Sequence, residues 1–366
     1  MRIAIFGLTV SSSWGNGHAT LWRGLCSALA EAGHSISFFE KDVPYYRTHR
    51  DLGQPRGYAL QLYSEWSEIQ PRVESAVKES DCAIVTSYCP DARAAADLVL
   101  GHSKVFSIFY DLDTPVTLNA LGRQGTVDYI PSYGLEPFDL VLSYTGGNAL
   151  RELQNRLGAK RVAPLYGSVD PSTHHPVPPE TRFECDLAFL GNRMPDREAR
   201  VEQFFFAAAE QAPEFQFLLG GEGWGGKKMP ANVRWIGHVG TAHHNAINSS
   251  ARMVLNINRQ SMAKVGFSPP TRVFEAAGAA ACLITDAWLG VEHFFEPGRE
   301  ILVAHDAGEI VRYLRNIRPD EAQAIGTALS QRALRDHTYQ LRARQVDDIL
   351  DQHGLSVTAN SAAGMI

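Results

Sequence analysis

The sequence predicts an α/β protein of two doubly wound parallel-sheet domains that face each other across a cleft. Short apolar segments alternate with segments of helical periodicity along most of the chain. The chain opens with a strand, a glycine-containing loop, a helix and a second strand, a βαβ unit that requires a parallel sheet. A stretch rich in Pro, His, Ser and Thr at residues 171–182 reads as a linker between two halves of similar make-up.

The composition is typical of a soluble globular protein. The 366 residues suffice for two domains, and 45% of them are hydrophobic and 20% charged. A net charge of −6 without a long basic run disfavours dedicated nucleic-acid binding. The five cysteines are odd in number and form no C-x-x-C pair, so neither a disulfide framework nor a zinc site is expected. No apolar run suits a signal peptide or a transmembrane segment, and a cytoplasmic location is the expectation.

Residues 1–170 are predicted to form the N-terminal domain, on one side of the cleft. Its predicted strands span residues 2–7, 35–40, 82–87, 104–110, 140–143 and 161–165. Its predicted helices span residues 21–32, 58–78, 91–100 and 146–157.

Residues 183–318 are predicted to form the second domain. Its predicted strands span residues 185–190, 215–220, 233–236, 254–257 and 301–304. Its predicted helices span residues 197–211, 242–250 and 309–317, and a further helix begins at the Pro pair 269–270. Residues 319–352 are predicted to be C-terminal helices, and the small polar residues 353–366 a flexible tail.

A possible anion site lies where a glycine-containing loop meets the helix that begins at Pro269-Pro270. Proline suits a first helical turn, and the unpaired N–H groups there attract anions. Arg272 adds a planar cation suited to phosphate oxygens. Glu275 lies one turn further on, where a carboxylate can accept hydrogen bonds from ribose hydroxyls. These features together suggest a nucleoside diphosphate, and the alternative is a buried helix with an ordinary ion pair.

Two other strand ends in the second half carry glycine followed by polar residues. Gly191-Asn192-Arg193 follows the domain's first strand, and two arginines near such a turn suit a diphosphate or merely mark a surface helix. Gly237-His238-Val239 follows a later strand, and its backbone is suited to the edge of a base.

The loop after the first strand contains Gly15, Asn16 and Gly17, followed by His18. It matches a dinucleotide fingerprint weakly, because the third glycine is missing. Glu40, at the end of the second strand, could supply a ribose-binding acid, which leaves a nicotinamide or flavin site as an alternative. We interpret the loop as a flexible wall of the cleft.

Asp111 and Asp113 follow a buried strand, at the sheet edge where α/β proteins bind ligands. They could bind a divalent cation, cap the turn before Pro115, or hydrogen-bond a substrate hydroxyl. We favour the hydroxyl role and predict no metal site. The adjacent histidine pairs 174–175 and 243–244 lack acidic or cysteine partners at metal-binding spacing.

Several of these segments resemble the CgeB-like (spore-maturation-type) glycosyltransferases, which are relatives of the family 4 glycosyltransferases. The resemblance covers roughly residues 185–345 and includes Ser268–Gly278, Leu283–Asp286, Glu292–Ile301 and His337–Ala343. In the first half, Phe109–Pro115 is similar to the same family.

This resemblance implies the GT-B fold, in which two Rossmann-like domains enclose a nucleotide-sugar held mostly by the second domain. It also implies that the last helix returns to the first domain. It makes Glu275 the ribose-binding acid, places the base near His238 and Val239, and places the diphosphate near Arg193 and the turn 268–272. The predicted donor-binding residues are Gly191, Asn192, Arg193, Gly237, His238, Val239, Asn258, Gly266, Phe267, Ser268, Thr271, Arg272 and Glu275.

One position departs from the family pattern. Family 4 enzymes usually carry a second glutamate seven residues before the ribose acid, and Ser268 stands there in this chain. A retaining mechanism is therefore not carried over.

The predicted function is metal-independent transfer of a sugar from a nucleotide diphosphate sugar to a small-molecule, glycan or protein acceptor, without a cofactor. The candidate bases are Asp113, Asp111 and His18, in that order. A nucleotide-sugar 2-epimerase, a dinucleotide-binding oxidoreductase and a catalytically silent binding module are the alternatives.

Overall fold

The computed structural model describes residues 1–355, which form two parallel α/β sheets with helices on both faces. The predicted fold class, α/β with two doubly wound domains, is confirmed. The predicted linker 171–182 falls between the last strand of the first sheet and the first strand of the second. The predicted tail, 353–366, lies outside the described residues from residue 356 onward.

The first sheet has seven strands in the order β3-β2-β1-β4-β5-β6-β7. These strands are β1 Arg2–Gly7, β2 Ser35–Lys41, β3 Ala59–Tyr63, β4 Cys82–Thr86, β5 Phe106–Asp111, β6 Leu140–Ser143 and β7 Val162–Pro164. The helices of this half are α1 His18–Glu31, α2 Pro44–Arg47, α3 Trp66–Lys78, α4 Ala92–Leu100, α5 Thr114–Gln124 and α6 Asn148–Leu157.

The second sheet has six strands in the order β10-β9-β8-β11-β12-β13. These strands are β8 Cys185–Leu190, β9 Phe217–Gly220, β10 Val233–Trp235, β11 Ala251–Asn256, β12 Leu283–Asp286 and β13 Leu302–Ala304. The helices that follow β8 are α7 Glu198–Val201, α8 Ala207–Gln211, α9 His244–Ser250, α10 Gln260–Val265, α11 Thr271–Gly278, α12 Val291–Phe294, α13 Ala307–Asn316, α14 Pro319–Asp336 and α15 Tyr339–Gln352. A π-helical turn, Glu202–Phe206, joins α7 to α8.

Alternating side chains of β1 fill both faces of the first sheet. Ile5 pairs with Phe38 and Ile84 in register and packs on one face, which α1 and α15 cover. Phe6 points to the other face, which α3, α4 and α6 cover. Because both faces are buried, the strand is a continuous apolar run. The loops after the strands then carry the polar residues.

The last helix, α15, packs against α1 of the first domain. A Cβ on Gly24 would lie 2.2 Å from the ring of Tyr339, so glycine permits this close contact. The C-terminal helices predicted over residues 319–352 are α14 and α15, which are separated at residues 337–338. Thr338 forms a bridge with Val169, and its side chain accepts a hydrogen bond from the Leu341 N–H at the start of α15.

The prediction of a helix over residues 58–78 was wrong for its first third. Residues 59–63 form β3, which adds to the edge of the sheet with Leu60 opposite Phe38. The segment contains Ala, Leu and Gln, which favour helices in isolation, and pairing with β2 overrides that preference. Helices α5 and α10 had not been predicted.

Candidate functional site

A cavity of about 470 Å³ lies between the carboxyl ends of the two sheets. The loops after β1 and β2 form its first-domain wall. The loops after β8, β9 and β10 and the start of α11 form the opposite wall. Loops at this edge of parallel sheets commonly hold ligands, since strand order places them around one crevice.

Ten of the sixteen residues predicted for the donor site and the cleft loop line this cavity. They are Gly15, Asn16, Gly17, Gly191, Asn192, His238, Val239, Thr271, Arg272 and Glu275. The six that lie outside it are Arg193, Gly237, Asn258, Gly266, Phe267 and Ser268.

The start of α11 makes one end of the cavity cationic. Pro270, Thr271 and Arg272 lie on the cavity wall, where the helix N-terminus contributes positive potential. Arg197 lines the same cavity, and its buried Nε has no hydrogen-bond partner among the described residues. Burial and the nearby guanidinium groups of Arg272 and Arg259 lower the pKa of Arg197 to about 10. This end therefore holds positive charge that an anionic ligand would neutralise.

Arg197, rather than Arg193, is the cation that follows β8 into the cavity. Arg193 is exposed, and its guanidinium donates to Glu198 Oε1 at 2.7 Å. Arg197 lies only four residues along the chain, and periodicity could not choose between the two because the loop between them has no regular structure. The structure thus brings Arg197 to the cavity and leaves Arg193, the predicted donor-binding residue, outside it.

Glu275 has a buried carboxylate close to the guanidinium of Arg272. Its Oε2 lies 3.2 Å from His244 Nδ1 and 3.8 Å from Arg272 NH1. Burial favours the neutral acid, but the hydrogen bond with His244 and the charge of Arg272 hold the pKa of Glu275 well below its usual range. An ionised carboxylate beside a cavity is a suitable acceptor for a pair of hydroxyls. Sequence analysis weighed His244 only as a metal ligand and argued against that role, so its contact with Glu275 was missed.

Phe267 and Ser268 join the two domains instead of lining the cavity. Ser268 is 2% exposed, and its Oγ lies 2.9 Å from Thr145 Oγ1 of the first domain. The Phe267 carbonyl accepts a hydrogen bond from Gly146 N at 2.9 Å. Phe267 has a φ of 45°, and its ring would meet a Cβ on Gly147 at 2.6 Å. Phe267 and Ser268, predicted to bind the donor, instead make contacts between the domains, and Gly266 packs against Leu289 of the second domain.

Two other residues predicted to bind the donor make backbone hydrogen bonds outside the cavity. The Gly237 carbonyl accepts from Gly221 N at 2.7 Å beside the end of β10. The Asn258 N–H lies 3.1 Å from both carboxylate oxygens of Asp286, and the Asn258 side chain is buried. Neither residue lines the cavity, so the structure does not bring them to the candidate donor site.

Asp111 is enclosed by the first domain. Its Oδ1 accepts hydrogen bonds from Thr117 Oγ1 at 3.0 Å and from Asp113 N at 3.2 Å. Burial raises the pKa of Asp111 to about 6. Since the side chain has no exposed surface, it cannot contact an acceptor, and its assignment as a candidate base is corrected.

Asp113 and His18 form a pair next to Gly17, and neither residue lines the cavity itself. Asp113 Oδ2 lies 3.4 Å from His18 Nε2 and 3.8 Å from NH1 of Arg259 in the second domain. The three side chains are 16%, 13% and 18% exposed, so solvent screens their charges only partly. Sequence analysis missed Arg259 because it lies 146 residues from Asp113.

Trp14 closes another part of the cavity wall. Its ring centre lies 3.5 Å from that of His238 in the second domain and 4.0 Å from that of His49 in the first. His238, predicted to lie near the base, is thus covered by an aromatic side chain from the opposite domain.

The hydrogen-bonding positions of the Glu40 carboxylate are occupied by residues of the loop after β1. Its carboxylate accepts hydrogen bonds from Thr9 Oγ1, Val10 N and both the N–H and the hydroxyl of Ser11. It has no free position for a ribose, which removes the acid that a dinucleotide site would require.

The described part of the chain carries neither a metal cluster nor a membrane-length helix. Among residues 1–355, no three His, Cys, Asp or Glu side chains come together as metal ligands. No helix in that range combines the length and apolar character needed to cross a membrane.

Comparison with known proteins identifies the second half of the chain. Residues 197–348 match the family described as "Glycosyl transferase-like". No curated protein matches the chain.

Solved structures resemble the whole chain. Sucrose-phosphate synthase from Thermosynechococcus elongatus has a TM-score of 0.66 at 14% identity, over 96% of this chain and 99% of that one. HepE from Anabaena in complex with UDP-glucose has a TM-score of 0.65 at 11% identity, over 96% and 100%. AviGT4, a glycosyltransferase involved in avilamycin A biosynthesis, has a TM-score of 0.58 at 17% identity, over 96% and 97%. At these identities the likeness establishes the fold. The protein therefore has the GT-B fold, and its residues 197–348 are similar to the glycosyl transferase-like family.

Proposed function

We propose that the protein transfers a sugar from a nucleoside diphosphate sugar to a hydroxyl group of an acceptor. The glycosyl transferase-like domain and the GT-B fold make it a glycosyltransferase. The resemblance of residues 268–278 and 292–301 supports the CgeB-like group within this class. The cytoplasmic location stays a prediction from the cysteine content.

The observation that carries the proposal is the arrangement of charges along α11. Arg197 and Arg272 stand at the cationic end of the cavity, and the ionised Glu275 stands one turn along the helix. A nucleoside diphosphate has this pattern, since two phosphates are followed by ribose hydroxyls. We therefore assign the diphosphate to Arg197, Arg272 and the start of α11, and the ribose to Glu275.

The donor is proposed to be a uridine diphosphate sugar. This choice is supported by two neighbours of the same fold that contain UDP-glucose or a fluorinated analogue of it. The base is assigned to the backbone at His238 and Val239, which line the cavity beyond Glu275.

The reaction breaks the bond between the anomeric carbon and the β-phosphate oxygen. The bonding electrons leave with UDP, whose added negative charge Arg197, Arg272 and the helix N-terminus stabilise. The acceptor oxygen forms the new bond to the anomeric carbon, and its proton passes to the His18–Asp113 pair. Loss of one leaving-group contact is expected to slow transfer about 100- to 1,000-fold, or about 2.7–4 kcal/mol of barrier.

The reaction is proposed to proceed without a metal ion or a cofactor. The cations of the protein itself already stand where a metal would balance the charge of the diphosphate. Turnover in EDTA, compared with turnover in added Mg²⁺ and Mn²⁺, tests this part of the proposal.

Binding can be tested before the acceptor is known. UDP, UDP-glucose, GDP-sugars and NADH would be compared by thermal shift and calorimetry, because a ligand of the folded state raises the melting temperature by mass action. We expect UDP and UDP-glucose to bind, and Arg272→Ala and Glu275→Ala to weaken binding at least tenfold. The exposed Arg315, which pairs with Glu214 far from the cleft, provides the control variant Arg315→Ala.

The outcome separates the alternatives. Undiminished UDP binding in both cavity variants would refute the site. NADH binding would favour an oxidoreductase, and conversion of UDP-glucose without an acceptor to an epimeric UDP-sugar would favour an epimerase. Binding without turnover across many acceptors would favour a binding module.

A further inference from the structure

Arg259 lies between two carboxylates that belong to different domains. Its Nε donates to Asp196 Oδ2 at 2.6 Å, within the second domain. Its NH1 lies 3.8 Å from Asp113 Oδ2 in the first domain. The guanidinium is largely buried, so both contacts act in a medium that screens charge less than water does.

Each carboxylate belongs to a different part of the proposed reaction. Asp196 immediately precedes Arg197 in the loop after β8, and its carbonyl accepts from the N–H of Gln260 at 2.8 Å. Two hydrogen bonds to Asp196 thus hold Arg259 against the donor-binding loop. One comes from the Arg259 side chain, and the other from the backbone N–H of Gln260, the next residue. Asp113 precedes α5 and faces His18, the pair assigned to the acceptor proton.

The two Arg259 contacts respond differently to domain movement. Helix α10, which begins after Arg259, packs directly on α5 of the first domain. Rotation of one domain away from the other would separate Arg259 from Asp113. The same rotation would leave the Arg259–Asp196 bond unchanged, because both residues lie in the second domain.

We infer that Arg259 is a positioning residue that couples domain closure to the His18–Asp113 pair. The inference rests on the proposed function, because it gives this pair the acceptor proton. When the domains are closed, Arg259 fixes the Asp113 carboxylate from the side of the donor loop. Asp113 in turn orients the His18 ring through Nε2. Arg259 acts on the acceptor step without contacting the donor.

Kinetics of a double-mutant cycle test this coupling, with UDP release from UDP-glucose as the readout. We expect Arg259→Gln to lower kcat about tenfold or more, while UDP affinity stays within about threefold, since positioning a proton acceptor affects the chemical step. Arg259→Lys should retain part of the rate. The variant with both Arg259→Gln and Asp113→Asn should be no slower than Asp113→Asn alone, because Arg259 acts through Asp113.

Arg315→Gln, which breaks an exposed ion pair with Glu214, is the matched control. It should leave both kcat and UDP affinity at the wild-type values.

The results separate this inference from the proposed function. Multiplicative losses of rate in the double variant, or a tenfold loss of UDP affinity in Arg259→Gln, would each overturn the coupling. If Arg272→Ala loses UDP while Arg259→Gln behaves as Arg315→Gln, only the coupling fails. If Arg272→Ala and Glu275→Ala bind UDP as the wild type does, the proposed donor site fails.

Discussion

The hydroxyl oxygens of Ser268 and Thr145 lie 2.9 Å apart and belong to different domains. Both side chains are buried, at 2% and 0% exposure, so this hydrogen bond is shielded from water. A second hydrogen bond between the domains lies beside it, from Gly146 N to the Phe267 carbonyl. Ser268 thus stabilises the contact between the domains, at a position where family 4 enzymes usually carry a glutamate.

The first prediction concerns this pair of hydroxyls. Ser268→Ala and Thr145→Val should each destabilise the protein by about 1–3 kcal/mol, because each leaves a buried hydroxyl without a partner. The double variant should be destabilised by less than the sum, since it removes both polar groups. Thermal and urea denaturation measure the effects.

Ser268→Glu provides the contrasting variant. It places a carboxylate in a buried contact without a cation, so it should be more destabilising than Ser268→Ala. If Ser268→Glu were as stable as the wild type and bound UDP-glucose more tightly, Ser268 would lie beside the sugar and the domain-contact role would be wrong.

The motif around Ser268 shows how far a sequence pattern can locate a site. The pattern of residues 268–275 led to the cavity, since Thr271, Arg272 and Glu275 do line it. It could not separate these from Ser268, because the direction of each side chain depends on how the domains pack. Ser268 precedes the helix in a loop that turns toward the first domain.

The second prediction compares the two arginines after β8. Arg197→Ala should weaken UDP binding by about 1.5–3 kcal/mol, which is the usual range for a hydrogen bond to a charged group. Arg193→Ala should leave UDP binding unchanged, because its guanidinium pairs with Glu198 outside the cavity. Calorimetry on the two variants measures the difference. Equal losses, or a loss only in Arg193→Ala, would reverse the assignment.

The third prediction compares Asp111 with Asp113. Asp113→Asn should lower the rate of transfer about 100-fold, because the pair with His18 loses its charge. Asp111→Asn should keep most of the rate, since the buried Asp111 touches neither substrate. Steady-state kinetics distinguish them, and a wild-type rate in Asp113→Asn would remove the pair from the mechanism.

Asp111 should also make the stability of the protein depend on pH. Burial raises the pKa of Asp111 to about 6, above the unfolded value of about 3.9. Its contribution to stability is therefore fully present below about pH 3.9 and is lost as the pH rises through about 6. Asn cannot ionise, so the stability of Asp111→Asn relative to the wild type should improve between pH 4 and pH 7. Melting temperatures at both pH values measure this, and a constant difference would contradict it.

The architecture was predictable because local patterns repeat along the chain. Buried strands such as β1 and β8 are short apolar runs, and the glycines after them mark the loops of the cleft. The predictions that failed concern residues whose structure or contacts depend on partners far away in the sequence. Residues 59–63 became a strand by pairing with β2, and His244 became significant only when α9 placed it against Glu275.

The last prediction uses the contact between Gly17 and Thr271 across the cleft. A Cβ on Gly17 would lie 2.8 Å from Thr271 Oγ1, closer than side chains tolerate. Gly17 has a φ of −89°, so Gly17→Ala introduces this clash without backbone strain. We expect it to hold the domains slightly apart and to weaken UDP-glucose binding about tenfold, by calorimetry, because the diphosphate end of the cavity opens to water.

Two variants isolate the clash. Gly53→Ala changes a first-domain glycine whose Cβ would meet no atom within 4 Å, and it should bind UDP-glucose normally. Thr271→Ala removes the two atoms nearest to the new methyl group, so adding it to Gly17→Ala should restore part of the affinity. If the double variant and Thr271→Ala alone both bind UDP-glucose weakly and to the same extent, the Thr271 hydroxyl itself binds the donor. An undisturbed affinity in Gly17→Ala would show that this loop moves freely, and that the cleft does not depend on a close approach of Gly17 to α11.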